Sequence, residues 1–158
     1  MKRRMTPHFS RALATLAALL LPAMLAAPAW ASEDEHDHGG VHEFHEMMEE
    51  LGEHTQRIVQ AINHEDWAWV AREARMIADH PRPPMEERRR LKAFTGDRHA
   101  RFAEYDKAVH ATAAELADVA ETGEGREVIN AFARLQSSCL DCHANFRSDF
   151  REHFYHAD

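Results

Sequence analysis

Residues 125–147 read GREVINAFARLQSSCLDCHANFR, and the spacing of their apolar side chains indicates one long amphipathic helix. Side chains that follow one another by three and four residues lie on the same face of an α-helix. The residues with this spacing are Val128, Phe132, Leu135, Cys139, Cys142 and Phe146. We therefore expect both cysteines to lie on the face that packs inward.

The segment from Cys139 to His143 has the form C-x-x-C-H, the attachment sequence of c-type haem. Two thiols one helical turn apart can add to the two vinyl groups at one porphyrin edge, and the imidazole of His143 then faces the iron. A thioredoxin-like redox pair would need a preceding strand, and structural zinc would need a second Cys or His pair; neither is evident. The motif predicts one covalent haem c per chain.

Three more amphipathic helices are predicted upstream, and no alternating strand pattern is found. The apolar stripe of the first comprises Val41, Phe44, Met48, Leu51, Thr55, Ile58 and Ile62. The second follows an Asp66 N-cap, with Trp67, Val70, Ala74 and Ile77 on one face, and stops before Pro81. The third opens at Gly96-Asp97, with Phe102, Val109, Ala113, Leu116 and Ala120 inward and Asp106 at the edge.

Residues 81–94, PRPPMEERRRLKAF, are interpreted as a long connection with at most a short helical turn and a solvated basic cluster at 88–90. Four amphipathic helices, two pairs of which are joined by short links, favour an all-α fold. The sequence predicts an antiparallel four-helix bundle over residues 41–158, with haem c on the C-terminal helix.

Residues 1–31 have the features of a secretory signal peptide. Four basic residues and no acidic ones accompany an apolar run that ends in Ala29-Trp30-Ala31. Pro22 and Pro28 interrupt the run and no stop-transfer charges follow, which disfavours an uncleaved membrane anchor. We expect an exported chain with no stable membrane insertion after cleavage.

Residues 32–40 are interpreted as a flexible, acidic, His-rich arm. Residues 33–54 contain nine acidic residues and five histidines, namely His36, His38, His42, His45 and His54. Imidazole and carboxylate groups together bind Zn, Cu or Ni, so a metal-handling role is a further hypothesis. Solvated histidines without a compact ligand set are the simpler interpretation.

Without residues 1–31 the chain has 15 basic and 27 acidic residues, a formal charge of −12. Such a charge argues against nucleic acid and anionic lipid as main partners and favours basic redox proteins. No nucleophile and base arrangement is apparent, so we do not expect an enzyme.

The segment C-L-D-C-H-A-N-F-R at 139–147 resembles the C-x-x-C-H-x-x-F-R signature of class II c-type cytochromes, the cytochrome c-prime group and its six-coordinate relatives. The resemblance extends over four helices and a first helix with an M-x-x-L segment. It implies a periplasmic haem protein with His143 as the fifth iron ligand and with homodimers possible. Arg147 lies one turn beyond His143 and is expected near a haem propionate.

The sixth iron position decides the function, because a filled site suits electron transfer and an empty one admits small gases. The resemblance suggests Met48 on the first helix as the axial ligand. Met47 lies about 100° around the helix and is the weaker candidate. His45 would give bis-His ligation, and core packing is the alternative role of Met48. The leading hypothesis is a one-electron carrier with His/Met ligation, and the alternative is a five-coordinate protein that binds NO or CO.

Overall fold

The computed structural model describes residues 42–155, which form five α-helices. These are α1 (His42–Asn63), α2 (Trp67–Ala78), α3 (Met85–Thr95), α4 (His99–Glu121) and α5 (Gly125–Tyr155), with one 3₁₀ turn over Gly96–Arg98 before α4. The predicted signal peptide at 1–31 and the His-rich arm at 32–40 lie outside the described residues. Over 42–155, no helix combines the length and the apolar character that a bilayer crossing requires.

Helices α1, α2, α4 and α5 lie side by side and antiparallel. Arg75 near the end of α2 donates to Glu121 at the end of α4 (2.6 Å), whereas Ala78, further along α2, contacts His110, further back on α4. The same reversal relates α4 to α5, where Glu115 pairs with Arg134 and, further back on α4, Tyr105 meets Phe146. A turn of three residues joins α1 to α2. The predicted all-α antiparallel bundle is therefore confirmed for the described residues.

Small side chains dominate the main core, which lies between α1, α2, α4 and α5. Seven alanines are buried in it together with larger aliphatic residues. Because alanine lets helix axes approach closely, this part of the bundle is tightly packed. The largest fully buried side chains are Ile58, Ile77, Leu116, Leu135, Val70 and Val128.

A second core cluster lies where the start of α1 meets α3 and the end of α5. Phe44, Met47 and Leu91 are buried there, with Met48, Phe102 and Phe150 packed around them. The prediction of a connection with at most one helical turn is corrected, because α3 is an 11-residue helix. Its Leu91 completes the second cluster, so packing with distant residues stabilises a segment whose own sequence is mostly charged.

The inward face of α1 differs from the predicted stripe. Phe44 and Ile58 are buried as expected, but Met47, His54 and Ala61 are buried in place of Met48, Thr55 and Ile62. The physical reason is a hydrogen-bonded contact with α2, in which His54 Nδ1 lies 2.8 Å from Glu73 Oε2. A polar pair at the helix interface turns the buried face by about one residue.

The contact between Trp67 and Gly125 can be used to test how closely the start of α5 packs against α2. A methyl group on Gly125 would lie 2.9 Å from Trp67 Cζ2, whereas one on Gly52, in the middle of α1, would meet nothing within 4 Å. Gly125→Ala should lower the free energy of unfolding by about 1–3 kcal/mol through overpacking. Gly52→Ala should raise it by about 0.5–1 kcal/mol. Urea unfolding followed by circular dichroism measures both, and equal effects would contradict the close contact.

The free energy of unfolding should depend on pH through the carboxyl group of Glu73. Burial raises the pKa of this carboxyl, but hydrogen bonds to His54 and Trp69 and the charge of Arg57 outweigh burial, so the folded pKa lies below the usual 4.5. The carboxylate therefore stabilises the fold above pH 4.5, and this contribution disappears as the pH falls through the folded pKa.

Glu73→Gln should accordingly cost about 1–3 kcal/mol at pH 7 and flatten the loss of stability in acid. Unfolding free energies of both proteins, measured from pH 7 to pH 3, check this expectation. Parallel curves would show that Glu73 has no such role. Glu53→Gln, on the exposed side of α1, is the matched control.

Candidate cofactor site

Contacts with α4 fix the direction in which α5 presents its C-x-x-C-H segment. Thr112 donates to Ser138 Oγ at 3.2 Å, one residue before Cys139. Beyond the motif, the ring of Phe146 meets Phe102 edge-on with centroids 5.4 Å apart. The motif is thus held on both sides, and its cysteines lie on the face of α5 that packs against the bundle.

Both cysteines are half-buried free thiols one helical turn apart. Burial raises the pKa of Cys139, and burial followed by the charges of Asp106 and Cys139 raises the pKa of Cys142 to about 11. The thiols are therefore uncharged at neutral pH. A thioredoxin-like pair depends on a thiolate with a lowered pKa after a strand, and residues 42–155 contain no strand.

His143 lies on the exposed side of the motif with its imidazole partly desolvated. Desolvation and then the charge of Arg147 lower its pKa below 6.5. The ring is therefore neutral at pH 7, and a neutral imidazole has the lone pair that ligates a metal. The same observation places the guanidinium of Arg147 near His143, although Arg147 itself is exposed.

A second guanidinium at this end, that of Arg98, escaped the sequence reasoning. Arg98 lies over the ring of Phe146, 5.0 Å from its centroid, and donates to Asp149 at 2.9 Å. Since it precedes α4 and lies far from the motif along the chain, no spacing rule could have revealed it. Together with Arg147 it adds positive charge around the motif.

The two methionines of α1 differ in burial. Met47 is only 9% exposed and belongs to the second core cluster, while Met48 is half-buried at the edge of that cluster. His45 is exposed, with Nε2 3.3 Å from Glu49 and its ring 5.6 Å from that of Tyr155.

Phe102 connects the methionine-bearing helix to the helix that carries the motif. Its ring centroid lies 6.4 Å from that of Phe44 on α1 and 5.4 Å from that of Phe146 on α5. Met48 packs against the same cluster. The predicted site residues of α1 and α5 therefore lie at the same end of the bundle.

This donor set fits a covalent haem. Two neutral thiols at C-x-x-C spacing and a neutral imidazole next to them lie on one rigid helix, beside aromatic side chains that suit a porphyrin face. Within 42–155, neither cysteine belongs to a group of three or more His, Cys, Asp or Glu side chains that could hold a metal ion, which disfavours a structural zinc site. Cys139, Cys142 and His143 would hold the haem.

Part of the chain is similar to a known protein family. No curated protein and no solved structure matches the chain significantly. Residues 81–147 match the family model described as Cytochrome C', which spans the connection, α3, α4 and α5 through Arg147. The match includes the whole C-x-x-C-H motif, whereas Met48 lies outside it. Over residues 81–147 the chain is thus similar to the cytochrome c-prime family.

Proposed function

We propose that this protein is a class II c-type cytochrome that acts as a periplasmic one-electron carrier, with haem c bound through Cys139 and Cys142. His143 is the fifth ligand in this proposal and Met48 the sixth. The haem supplies an iron that alternates between the ferric and ferrous states. The chain supplies both ligands and an apolar, rigid surrounding, so that little rearrangement accompanies the transfer of an electron.

The observation that carries the proposal is that a methionine-bearing helix and the C-x-x-C-H helix meet at one aromatic cluster. A thioether and an imidazole from opposite helices can then approach a porphyrin from its two faces. This ligand pair raises the reduction potential and leaves no vacant position for an exogenous gas.

Met48 is favoured over Met47 by what each side chain already does. Met47 is buried among Phe44 and Leu91, where it contributes to packing between α1 and α3. Met48 is half-buried at the edge of the same cluster, so its thioether can be redirected without opening the core. Methionine has three rotatable bonds and adapts easily to such a change.

The net charge of the chain indicates what kind of redox partner its surface would bind. The formal charge of −12 after residue 31 favours encounter with a basic redox partner. Arg147, close to His143, is proposed to pair with a haem propionate, because a guanidinium binds a carboxylate through two parallel hydrogen bonds.

Carbon monoxide distinguishes an electron carrier from a gas-binding protein. The purified exported protein, reduced with dithionite, should have a sharp low-spin visible spectrum that carbon monoxide hardly alters. Met48 occupies the sixth position in the proposal, and a bound thioether must leave before a gas can bind. A high-spin spectrum that shifts readily would instead support a five-coordinate gas-binding protein, and the absence of haem absorption would refute haem attachment.

Replacement of the two methionines separates ligation from packing. Met48→Ala should retain covalent haem but convert the iron to high spin, with at least a tenfold increase in carbon monoxide binding. Met47→Ala should remain low-spin and lower the free energy of unfolding by about 2–4 kcal/mol, because it leaves a cavity in the second core cluster. Absorption spectra and urea unfolding of both variants provide the comparison. A low-spin spectrum in Met48→Ala would exclude Met48 as the ligand.

A further inference from the structure

Three side chains outside the C-x-x-C-H motif converge between the end of α2 and the middle of α4. They are His80, which follows α2, and Asp106 and His110, which lie one turn apart on α4. One potential ligand atom from each residue lies within 4.8 Å of the others. The two imidazole rings are stacked, with centroids 4.4 Å apart and planes inclined by 24°.

Hydrogen bonds to backbone carbonyls determine which nitrogen of each imidazole ring is available to bind a metal. His110 Nδ1 donates to the carbonyl of Ala78 at 2.5 Å, and His80 Nδ1 donates to the carbonyl of Pro81 at 3.1 Å. A carbonyl oxygen only accepts, so the hydrogen of each ring lies on Nδ1. In a neutral imidazole Nε2 then carries a lone pair. Metal-binding histidines in proteins are oriented in this way, with the second nitrogen donating to a carbonyl.

The position of Asp106 adds a charge argument. Its Oδ2 lies 3.8 Å from His110 Nε2, and its side chain is 55% exposed while that of His110 is 31% exposed. A carboxylate oxygen and an imidazole lone pair are both acceptors, so a cation or a bridging water between them makes their proximity favourable. A proton on Nε2 would satisfy His110 alone. A divalent ion can bind both stacked rings and the carboxylate at once. Protonation of both rings would instead place two positive charges on rings whose centroids are 4.4 Å apart.

We propose that His80 Nε2, His110 Nε2 and the Asp106 carboxylate form a binding site for a divalent transition-metal ion of the Zn²⁺ type. Two imidazoles and one carboxylate suit Zn²⁺, Cu²⁺ and Ni²⁺ rather than Mg²⁺ or Ca²⁺. Three protein ligands leave a fourth position for water, and structural zinc sites normally use four protein ligands. The partly exposed site therefore holds an exchangeable ion.

This site differs from the His-rich arm and from the haem motif. Its ligands come from the segment after α2 and from α4, and all lie within the described residues. The proposal does not depend on haem attachment, because neither cysteine nor His143 contributes a ligand. Coordination would, however, tie the start of the Pro-rich connection to α4.

Calorimetric titration with Zn²⁺ tests the site in the purified exported protein with the haem that it carries. The wild-type protein should bind one equivalent through this cluster. His80→Ala and His110→Ala should each lose that equivalent or weaken its binding at least tenfold, and Asp106→Asn should weaken it less. His64→Ala removes an exposed histidine of the α1–α2 turn and should bind as the wild type does. Circular dichroism verifies that each variant is folded.

Thermal unfolding gives a second readout, because an ion that binds only the folded state raises the midpoint temperature. Zn²⁺ should raise the midpoint of the wild-type and His64→Ala proteins and leave that of His80→Ala unchanged. If His80→Ala and His110→Ala bind and respond to Zn²⁺ as His64→Ala does, the ion binds elsewhere and the proposal is wrong. A haem-free preparation whose Zn²⁺ binding is lost in His80→Ala would support this site while refuting the electron carrier.

Discussion

The close approach of α2 and α4 through alanine side chains is the constraint on which the rest of this bundle depends. Ala71 and Ala74 on α2 and Ala113, Ala117 and Ala120 on α4 are all buried in the main core. Because these helices are close, α5 can pack across α4 through Leu135 and Val128, and contacts such as that between Thr112 and Ser138 then fix the direction of the motif. The orientation of the cysteines therefore depends on packing in a distant part of the core.

The two ends of the bundle are built differently. Small aliphatic side chains fill the main core, whereas the second cluster is aromatic and is closed by α3, which also provides a polar anchor. The buried carboxyl of Glu87 accepts a hydrogen bond from the backbone nitrogen of Glu43 at 3.0 Å, near the start of α1, and burial raises its pKa. The connection between α2 and α4 therefore contributes to the end of the bundle that carries the C-x-x-C-H motif. A count of the predicted helices does not reveal this contribution.

Sequence spacing predicted α2, α4 and α5 with their inward faces, because apolar residues at helical spacing make up most of those faces. It misplaced the face of α1, where the buried pair of His54 and Glu73 counts as polar in any periodicity argument. It could not predict α3, because Leu91 stabilises this helix only through contacts with Phe44 and Met47, which are distant in the sequence. The motif residues were evident from local spacing. Arg98 and the grouping of His80 with Asp106 and His110 depend on contacts between segments far apart in the chain.

The contact of Trp67 with Gly125 has a consequence for how this molecule can be observed. Both tryptophans within the described residues, Trp67 and Trp69, lie at the start of α2, and Trp67 packs where α5 begins. Cys142 is 17 residues further along α5, about 26 Å at the rise of an α-helix. Indole emission from Trp67 therefore reports on the packing of α5 at the end remote from the C-x-x-C-H motif, and nearly five turns of one helix separate the two.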